Sequence, residues 1–195
     1  MANVDRAHYA PYSPYHDAPK GIGFGATISA PHMHAYALGS LESYLQPGMK
    51  ALDIGSGSGY LTSCMADMVG ETGRVIGVEH VEQLNEHALE NIRKDHPEFL
   101  DQGRILLVTG DGRLGYPSEG PYDCIHVGAA AAECPSELIA QLKAPGRMFI
   151  PVGQHFGQAI VEYDKMEDGT VTKRHVMGVQ YVPLTDKASQ LAGGI

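Results

Sequence analysis

The chain has 195 residues, 43% of them hydrophobic and 19% charged, with 14 basic against 23 acidic side chains and a formal charge of −9. That size fits one domain with a sizeable core, and so low a charged fraction excludes a disordered polyelectrolyte. The acidic balance sets the chain apart from proteins that neutralise many phosphates, so no nucleic-acid partner is expected.

Residues 9–19 carry Pro11, Pro14 and Pro19 among tyrosines. Proline lacks the N–H that a helix needs and pushes its predecessor to extended backbone, so this segment is expected to run extended over the surface or across the domain. Residues 21–25 (GIGFG) read as a flexible turn. Met33, Ala37, Leu41 and Tyr44 recur at helical spacing, which predicts a helix from Ala30 to about Leu45, stopped by Pro47 and Gly48.

From Lys50 onward, short apolar runs alternate with helical patterns. Strands are expected at 51–54, 75–79, 105–109, 124–127 and 148–152, and helices at 60–69, 81–95 and 135–142. Such alternation means a parallel sheet covered by helices on both faces. Residues 159–163 and 171–182 are again strand-like, and Asp168-Gly169 between them is a hairpin signal. A mostly parallel α/β sheet ending in an antiparallel hairpin is the class I S-adenosylmethionine-dependent methyltransferase fold, Rossmann-like in its core. No repeat, low-complexity tract or linker interrupts the chain. The expectation is one domain over 1–195: an N-terminal acceptor-loop and helix region (1–48) and the Rossmann-like core (49–195).

The densest chemical signal is residues 52–59 (LDIGSGSG), after a strand and before a helix. Glycines let the backbone turn sharply and approach a ligand, and helix N-terminal amides beyond the turn can bind a carboxylate. The dinucleotide fingerprint is G-x-G-x-x-G. Here Gly55, Gly57 and Gly59 are spaced G-x-G-x-G, which departs from that form and resembles motif I of S-adenosylmethionine-dependent methyltransferases. Asp53, just before the loop, is placed to face the ammonium of the methionyl group, directly or through water. Glu79 ends the second strand, where an acidic side chain can accept from both ribose hydroxyls. Asp111 follows the third strand, where it can accept from the adenine amino group, and the flanking Gly110 and Gly112 leave room for the ring.

Cys64, Cys124 and Cys134 are odd in number and lack zinc-type spacing, so they read as free, mostly buried thiols in a reducing compartment. Residues 1–10 hold no signal-peptide apolar run and no stretch of about 18 apolar residues occurs, so a cytoplasmic protein without a membrane span is expected. His32 and His34 lie two apart, on different sides of a helix, so no paired metal site is expected. His126, inside an apolar run, reads as a satisfied core histidine. Ser29 ahead of Ala30-Pro31 is a favoured helix N-cap.

Residues 25–35 (GATISAPHMHA) resemble the signature segment of protein-L-isoaspartate O-methyltransferases. Residues 53–59 (DIGSGSG), 110–113 (GDGR), 126–131 (HVGAAA) and 181–187 (YVPLTDK) are also similar to that family, and the resemblance runs from Asp5 to Gln190. It implies methyl transfer from S-adenosyl-L-methionine to the free carboxylate of L-isoaspartyl residues in damaged proteins and peptides, by a monomer. The ester then closes to a succinimide, which can open to normal aspartate. The resemblance places Ala26, Thr27, Ile28 and Ser29 over the cofactor and the acceptor carboxylate, with Ser29 as active-site residue and Thr27 as a second hydroxyl that orients the acceptor. It further implies nucleoside contacts from His34, Ser58, Glu79, His80, Asp111, Gly112, Thr185 and Gln190. Ser29 is then expected to cap the helix and orient the acceptor together.

Three departures stand out. Family members carry a helical segment ahead of the stretch matching Asp5-Arg6, whereas this sequence starts at Met1. Gly25 stands where some members have a longer polar residue, and Glu79 where some have Asp. The alternatives weighed are a family member with reduced or no turnover, a methyltransferase with another small-molecule or RNA acceptor, and a nicotinamide-dependent oxidoreductase. The glycine spacing and the lack of a hydride-transfer dyad disfavour the last.

Overall fold

Five of the apolar runs become five neighbouring parallel strands in the computed structural model, which describes residues 1–154 and 157–192. They are β3 (Lys50–Ile54), β4 (Arg74–Glu79), β5 (Ile105–Thr109), β6 (Tyr122–Val127) and β7 (Leu142–Val152). β8 (Gln158–Lys165) adds antiparallel to β7 and β9 (Val171–Val179) antiparallel to β8, giving the order β5-β4-β3-β6-β7-β8-β9. The helices between strands are α2 (Tyr60–Val69), α3 (Glu82–Asp95), α4 (Pro97–Asp101) and α5 (Ser136–Ala140). The mostly parallel α/β sheet with its closing hairpin is the class I methyltransferase architecture the sequence predicts.

Both faces of this sheet are buried, and the alternation along each strand shows it. Ala51, Val75, Cys124 and Phe149 belong to one apolar cluster, shared with α1 (Pro31–Leu41), α2 and α3. Their strand neighbours Leu52, Ile76, Ile125 and Met148 belong to the other, shared with Leu138 of α5. Val4, Tyr9, Ala10 and Ile28 from the N-terminal region join the first cluster. Tyr9 is anchored there by its hydroxyl, which donates to Asp95 and lies in hydrogen-bond range of the Ser63 hydroxyl, each at 3.1 Å. Tyr12 and Tyr15 beyond it are exposed, as an extended surface segment requires.

The chain leaves β3 toward β4 on one side and reaches β6 on the other, so the sheet order reverses between β3 and β6. In open α/β sheets such a switch point opens a crevice beyond the carboxyl ends of the strands, where ligands bind.

Several local expectations need correction. Residues 21–25 are no flexible turn: β1 (Lys20–Gly23) pairs antiparallel with β2 (Ala26–Ile28), and Phe24 and Gly25 turn between them at φ of 54° and 70°. Strands this short and glycine-rich carry almost no periodicity. Helix α1 (Pro31–Leu41) ends earlier than expected and continues as a 3₁₀ turn, Glu42–Tyr44. Leu142 belongs to β7, not to the preceding helix, and β9 stops at Val179. A 3₁₀ turn at Arg6–His8, helix α4 and helix α6 (Lys187–Ala192) carry no clear sequence signal.

Candidate active site

The glycine turn is shaped by what approaches it. Gly57 has φ of 51°, which strains any other residue, and a Cβ there would press on Ile22 Cδ1 of the β1–β2 hairpin at 3.1 Å. Gly57 N–H donates to Glu79 Oε2 at 3.2 Å, and Val81 N–H donates to Glu79 Oε1 at 3.0 Å. The buried Glu79 carboxylate thus ties the glycine turn to the start of α3 while one side faces the crevice.

That crevice spans about 530 Å³, the open solvent at its mouth included. It is lined by Ala26 and Thr27 from the hairpin, Gly55 and Gly57 from the turn, Glu79 and His80 from β4, Gly112, and Thr185 and Gln190 from the C-terminal segment. Gln190 bridges its rim: Oε1 lies 2.8 Å from His80 Nε2, and Nε2 donates to the Phe24 carbonyl at 2.9 Å.

A deeper pocket of about 350 Å³ adjoins it, lined by Thr27, Ile28, Ser29, His34, Asp53, Ser58 and His126, among others. Asp53 is buried, accepting from His126 Nδ1 at 2.8 Å and from Thr62 Oγ1 at 2.6 Å. On the outer side, Thr27 and Ser29 border an open groove whose walls include Met33, Met177, Val179 and Pro183. Thr27 lines all three spaces, so it stands where they meet. Burial raises the pKa of the Tyr181 hydroxyl, with the nearby Ser29 side chain pulling the other way.

Arg6 holds the pocket wall from behind. Its Nε donates to the Pro14 carbonyl at 2.8 Å, its Nη2 to the Ser29 carbonyl at 2.7 Å, and its Nη1 lies 3.0 Å from His34 Nδ1. The guanidinium sits 5.1 Å from the centre of the Tyr60 ring. His34 is buried, and burial first, then the charge of Arg6, holds its pKa well below the usual histidine value.

Comparison with known proteins decides what this arrangement belongs to. The family model described as protein-L-isoaspartate (D-aspartate) O-methyltransferase matches residues 1–189. The chain belongs to this family. The protein-L-isoaspartate O-methyltransferase of Caenorhabditis elegans is 51% identical over 191 residues, covering 97% of this chain and 84% of that protein. The wheat (Triticum aestivum) enzyme of the same name is 50% identical, covering 98% and 84%. A Plasmodium falciparum protein-L-isoaspartate O-methyltransferase structure, solved with S-adenosyl-L-homocysteine, superposes with a TM-score of 0.89 at 39% identity, covering 95% of this chain and 88% of that one.

Within this family fold, most of the expected site residues converge; Gly59 and Asp111 have close protein neighbours of their own, and the expected Ser29 cap is corrected. Gly59 lines neither the crevice nor the deep pocket; a Cβ there would meet Ala88 Cβ at 3.2 Å and Ile92 Cδ1 at 3.3 Å, so the residue serves close packing of α2 on α3. Asp111 also lines neither. Its carboxylate is held by the Arg113 guanidinium, with contacts of 2.6–3.1 Å, and accepts the Arg113 N–H at 3.0 Å. Arg113 accordingly holds the Asp111 carboxyl below its usual pKa. Ser29 does not cap α1. The cap position is Ala30, with no side-chain bond, and Asp17 reaches over instead to accept from His32 N–H at 3.1 Å.

The sequence reading passed over two residues. His126 is a satisfied core histidine, as expected, yet it also lines the deep pocket. Arg6 gave no local signal, because all its partners are eight or more positions away. His32 and His34 do face apart: His32 is exposed and bonded to Asp17, and His34 is buried. Cys64 and Cys124 are buried and Cys134 half-buried, all as free thiols.

Proposed function

We infer that this chain transfers a methyl group from S-adenosyl-L-methionine to the free carboxylate of L-isoaspartyl residues in damaged proteins and peptides, the first step of their repair through succinimide. The observation that carries this reading is the position of Thr27 at the junction of an enclosed crevice, a deep polar pocket and an open groove. A reaction that joins a buried cofactor to a side group of an extended polypeptide needs those three spaces to meet.

The residues fit the cofactor. Glycines line the crevice, and the buried Glu79 carboxylate faces it with acceptor capacity for ribose hydroxyls. We assign cofactor contacts to Ala26, Thr27, Gly55, Gly57, Glu79, His80, Gly112, Thr185 and Gln190 around the nucleoside. We assign Ile28, Ser29, His34, Asp53 and Ser58 to its amino-acid end. Bound there, S-adenosyl-L-methionine supplies a methyl group on a sulfonium cation. The acceptor carboxylate is ionised at neutral pH, with an ordinary pKa of ~4, so the chain needs no general base. Its work is to aim a carboxylate oxygen along one line and exclude water. The hydroxyls of Ser29 and Thr27 orient that oxygen without neutralising it. The groove bordered by Met33, Met177 and Pro183 takes the flanking peptide.

We read residues 1–195 as one domain acting as a monomer in the cytoplasm. The apolar cluster shared by the N-terminal region and the sheet supports the first point. No described helix is long and apolar enough to cross a membrane. The test is methyl transfer from labelled S-adenosyl-L-methionine to two peptides that differ only in an L-isoaspartyl or L-aspartyl linkage. Base-labile label in the isoaspartyl peptide alone is expected. Label in neither peptide, with the cofactor bound, refutes the assignment.

A further inference from the structure

Among the described residues, Arg6 is the arginine or lysine that bonds to the deep pocket's wall, and it is 4% exposed. A buried guanidinium is costly unless its charge is answered, and here the partners are two carbonyls and an imidazole rather than a carboxylate. The chemistry of that imidazole contact is one-sided. Guanidinium has N–H donors and no acceptor, so Arg6 Nη1 donates and His34 Nδ1 accepts. A neutral imidazole that accepts at Nδ1 carries its proton at Nε2. Burial and the Arg6 charge both disfavour a second proton on the ring.

His34 lines the deep pocket, and among the described residues its Nε2 has no hydrogen-bond partner. From this geometry we propose that Arg6 is a positioning residue. It locks His34 as a neutral Nε2–H donor aimed into the pocket, and it supplies from behind the positive charge that holds a ligand carboxylate there. The inference rests on the reading of this pocket given above. Two carboxylates meet there under that reading, the acceptor's and that of the cofactor's amino-acid end. They share one chemistry.

The arrangement differs from the other histidine in the same wall. His126 Nδ1 faces a carboxylate, which only accepts, so that ring holds its proton at Nδ1. The Nδ1 atoms of two histidines of one pocket thus play opposite roles, one accepting and one donating, each set by the partner behind it. The Tyr60 ring, 5.1 Å from the guanidinium and 5.2 Å from the His34 ring, packs beside both members of the Arg6–His34 pair.

The first test is spectroscopic and uses the full wild-type chain. With ¹⁵N-labelled histidine, His34 should show a bare Nδ1 and a protonated Nε2, unchanged from about pH 8 to about pH 5.5. A proton at Nδ1, or titration within that range, overturns the proposal. The second test is functional. Arg6→Met removes the charge and the donor and keeps much of the side-chain volume, and Arg6→Lys keeps the charge. Binding is measured for S-adenosyl-L-homocysteine against 5′-methylthioadenosine, which lacks the amino-acid end. It is also measured for an isoaspartyl peptide against the same peptide with its free carboxylate replaced by a carboxamide.

Arg6→Met should shrink one of the two ratios by about tenfold or more, the scale of a lost charge-assisted bond, and Arg6→Lys should restore part of it. The ratio that moves identifies the carboxylate. Equal loss for both members of both pairs means Arg6 only holds the fold, and overturns the proposal. If Arg6→Met does not fold, the wild-type tautomer still decides. Failure of the wild type to methylate any isoaspartyl peptide would refute the functional reading instead, and leaves the tautomer measurement standing.

Discussion

Asp53 and His126 are register partners on adjacent parallel strands, and His126 Nδ1–H donates to Asp53 Oδ1 at 2.8 Å across the sheet. Thr62 from α2 takes the other carboxylate oxygen at 2.6 Å. The residue expected to face a ligand ammonium thus takes one protein bond on each oxygen, which fixes its orientation at the edge of the deep pocket and leaves further lone pairs for a ligand.

Asp53→Ala strands the Thr62 hydroxyl and the His126 N–H in the core. The cost expected is about 2–4 kcal/mol, which at this chain length lowers Tm by roughly 5–15 °C. Asp53→Asn keeps an acceptor for His126 and offers Thr62 a donor, so Tm should stay within about 3 °C of wild type while S-adenosyl-L-homocysteine binds about tenfold more weakly. Thermal melts with calorimetric titration separate the two. An Asn variant that melts as low as the Ala variant would show that the charge itself holds the strands.

Glu79 has a second duty that strand-end reasoning did not reveal. Its two oxygens anchor Gly57 N–H and Val81 N–H. Glu79→Ala should weaken S-adenosyl-L-homocysteine binding by at least about tenfold and also lower stability by about 1–3 kcal/mol, since two buried amides lose their acceptor. Glu79→Gln can satisfy only one of those amides through its single oxygen, so it should fall between wild type and Ala on both axes. Unchanged affinity in Glu79→Ala removes the residue from the cofactor site.

For Ser29 the structure sharpens the expectation. Ala30 occupies the cap position and Asp17 accepts the first-turn amide of His32, so Ser29→Ala removes no cap. Its Tm should change by less than about 2 °C, the range of substitutions away from caps and cores, while turnover drops. A melting shift as large as a lost cap, about 1 kcal/mol, would contradict this geometry.

The strands and long helices were legible because a doubly covered parallel sheet writes continuous apolar runs, and Tyr60–Val69 and Ile105–Thr109 fall where the pattern puts them. The site was legible as backbone positions at strand ends. What the sequence could not supply was direction. Asp111 stands at the right strand end but turns to Arg113, and Gly59 sits in the right loop but faces α3. Arg6 stayed hidden for a related reason: three contacts to Pro14, Ser29 and His34 exist only after the chain has folded back on itself. His126 was read correctly as satisfied, and its partner Asp53 is what brings it to the pocket.

His34 gives stability a defined dependence on pH. Its folded pKa is pushed well down by burial and by Arg6, so on acidification the unfolded chain takes up the proton first, near the ordinary ~6.5. The contribution is fully present above that value and is lost as pH falls below it, by up to about 1.4 kcal/mol per pH unit. His96 works in the opposite direction: burial opposes the shift, but the Asn3 carbonyl and Glu98 raise its pKa. The difference in urea midpoint between wild type and His34→Gln, followed from pH about 7.5 to about 5, isolates the His34 term. A difference that stays flat over that range would mean His34 protonates as readily in the folded protein as in the unfolded chain.

Gly59 separates packing from ligand binding. At φ of 83° a side chain is strained, and a Cβ would press on Ala88 and Ile92 of α3 at 3.2 and 3.3 Å. Gly59→Ala should therefore cost about 2–4 kcal/mol, strain and overpacking together. Because the residue lines neither the crevice nor the deep pocket, the folded fraction should bind S-adenosyl-L-homocysteine within about threefold of wild type. Gly57→Ala is the contrast. Its Cβ would meet Ile22 at the hairpin that closes the crevice, so affinity should fall by more than stability explains. Titration at a temperature well below both melting points reads the two apart. Equal affinity losses in the two variants would place Gly59 in contact with the ligand after all.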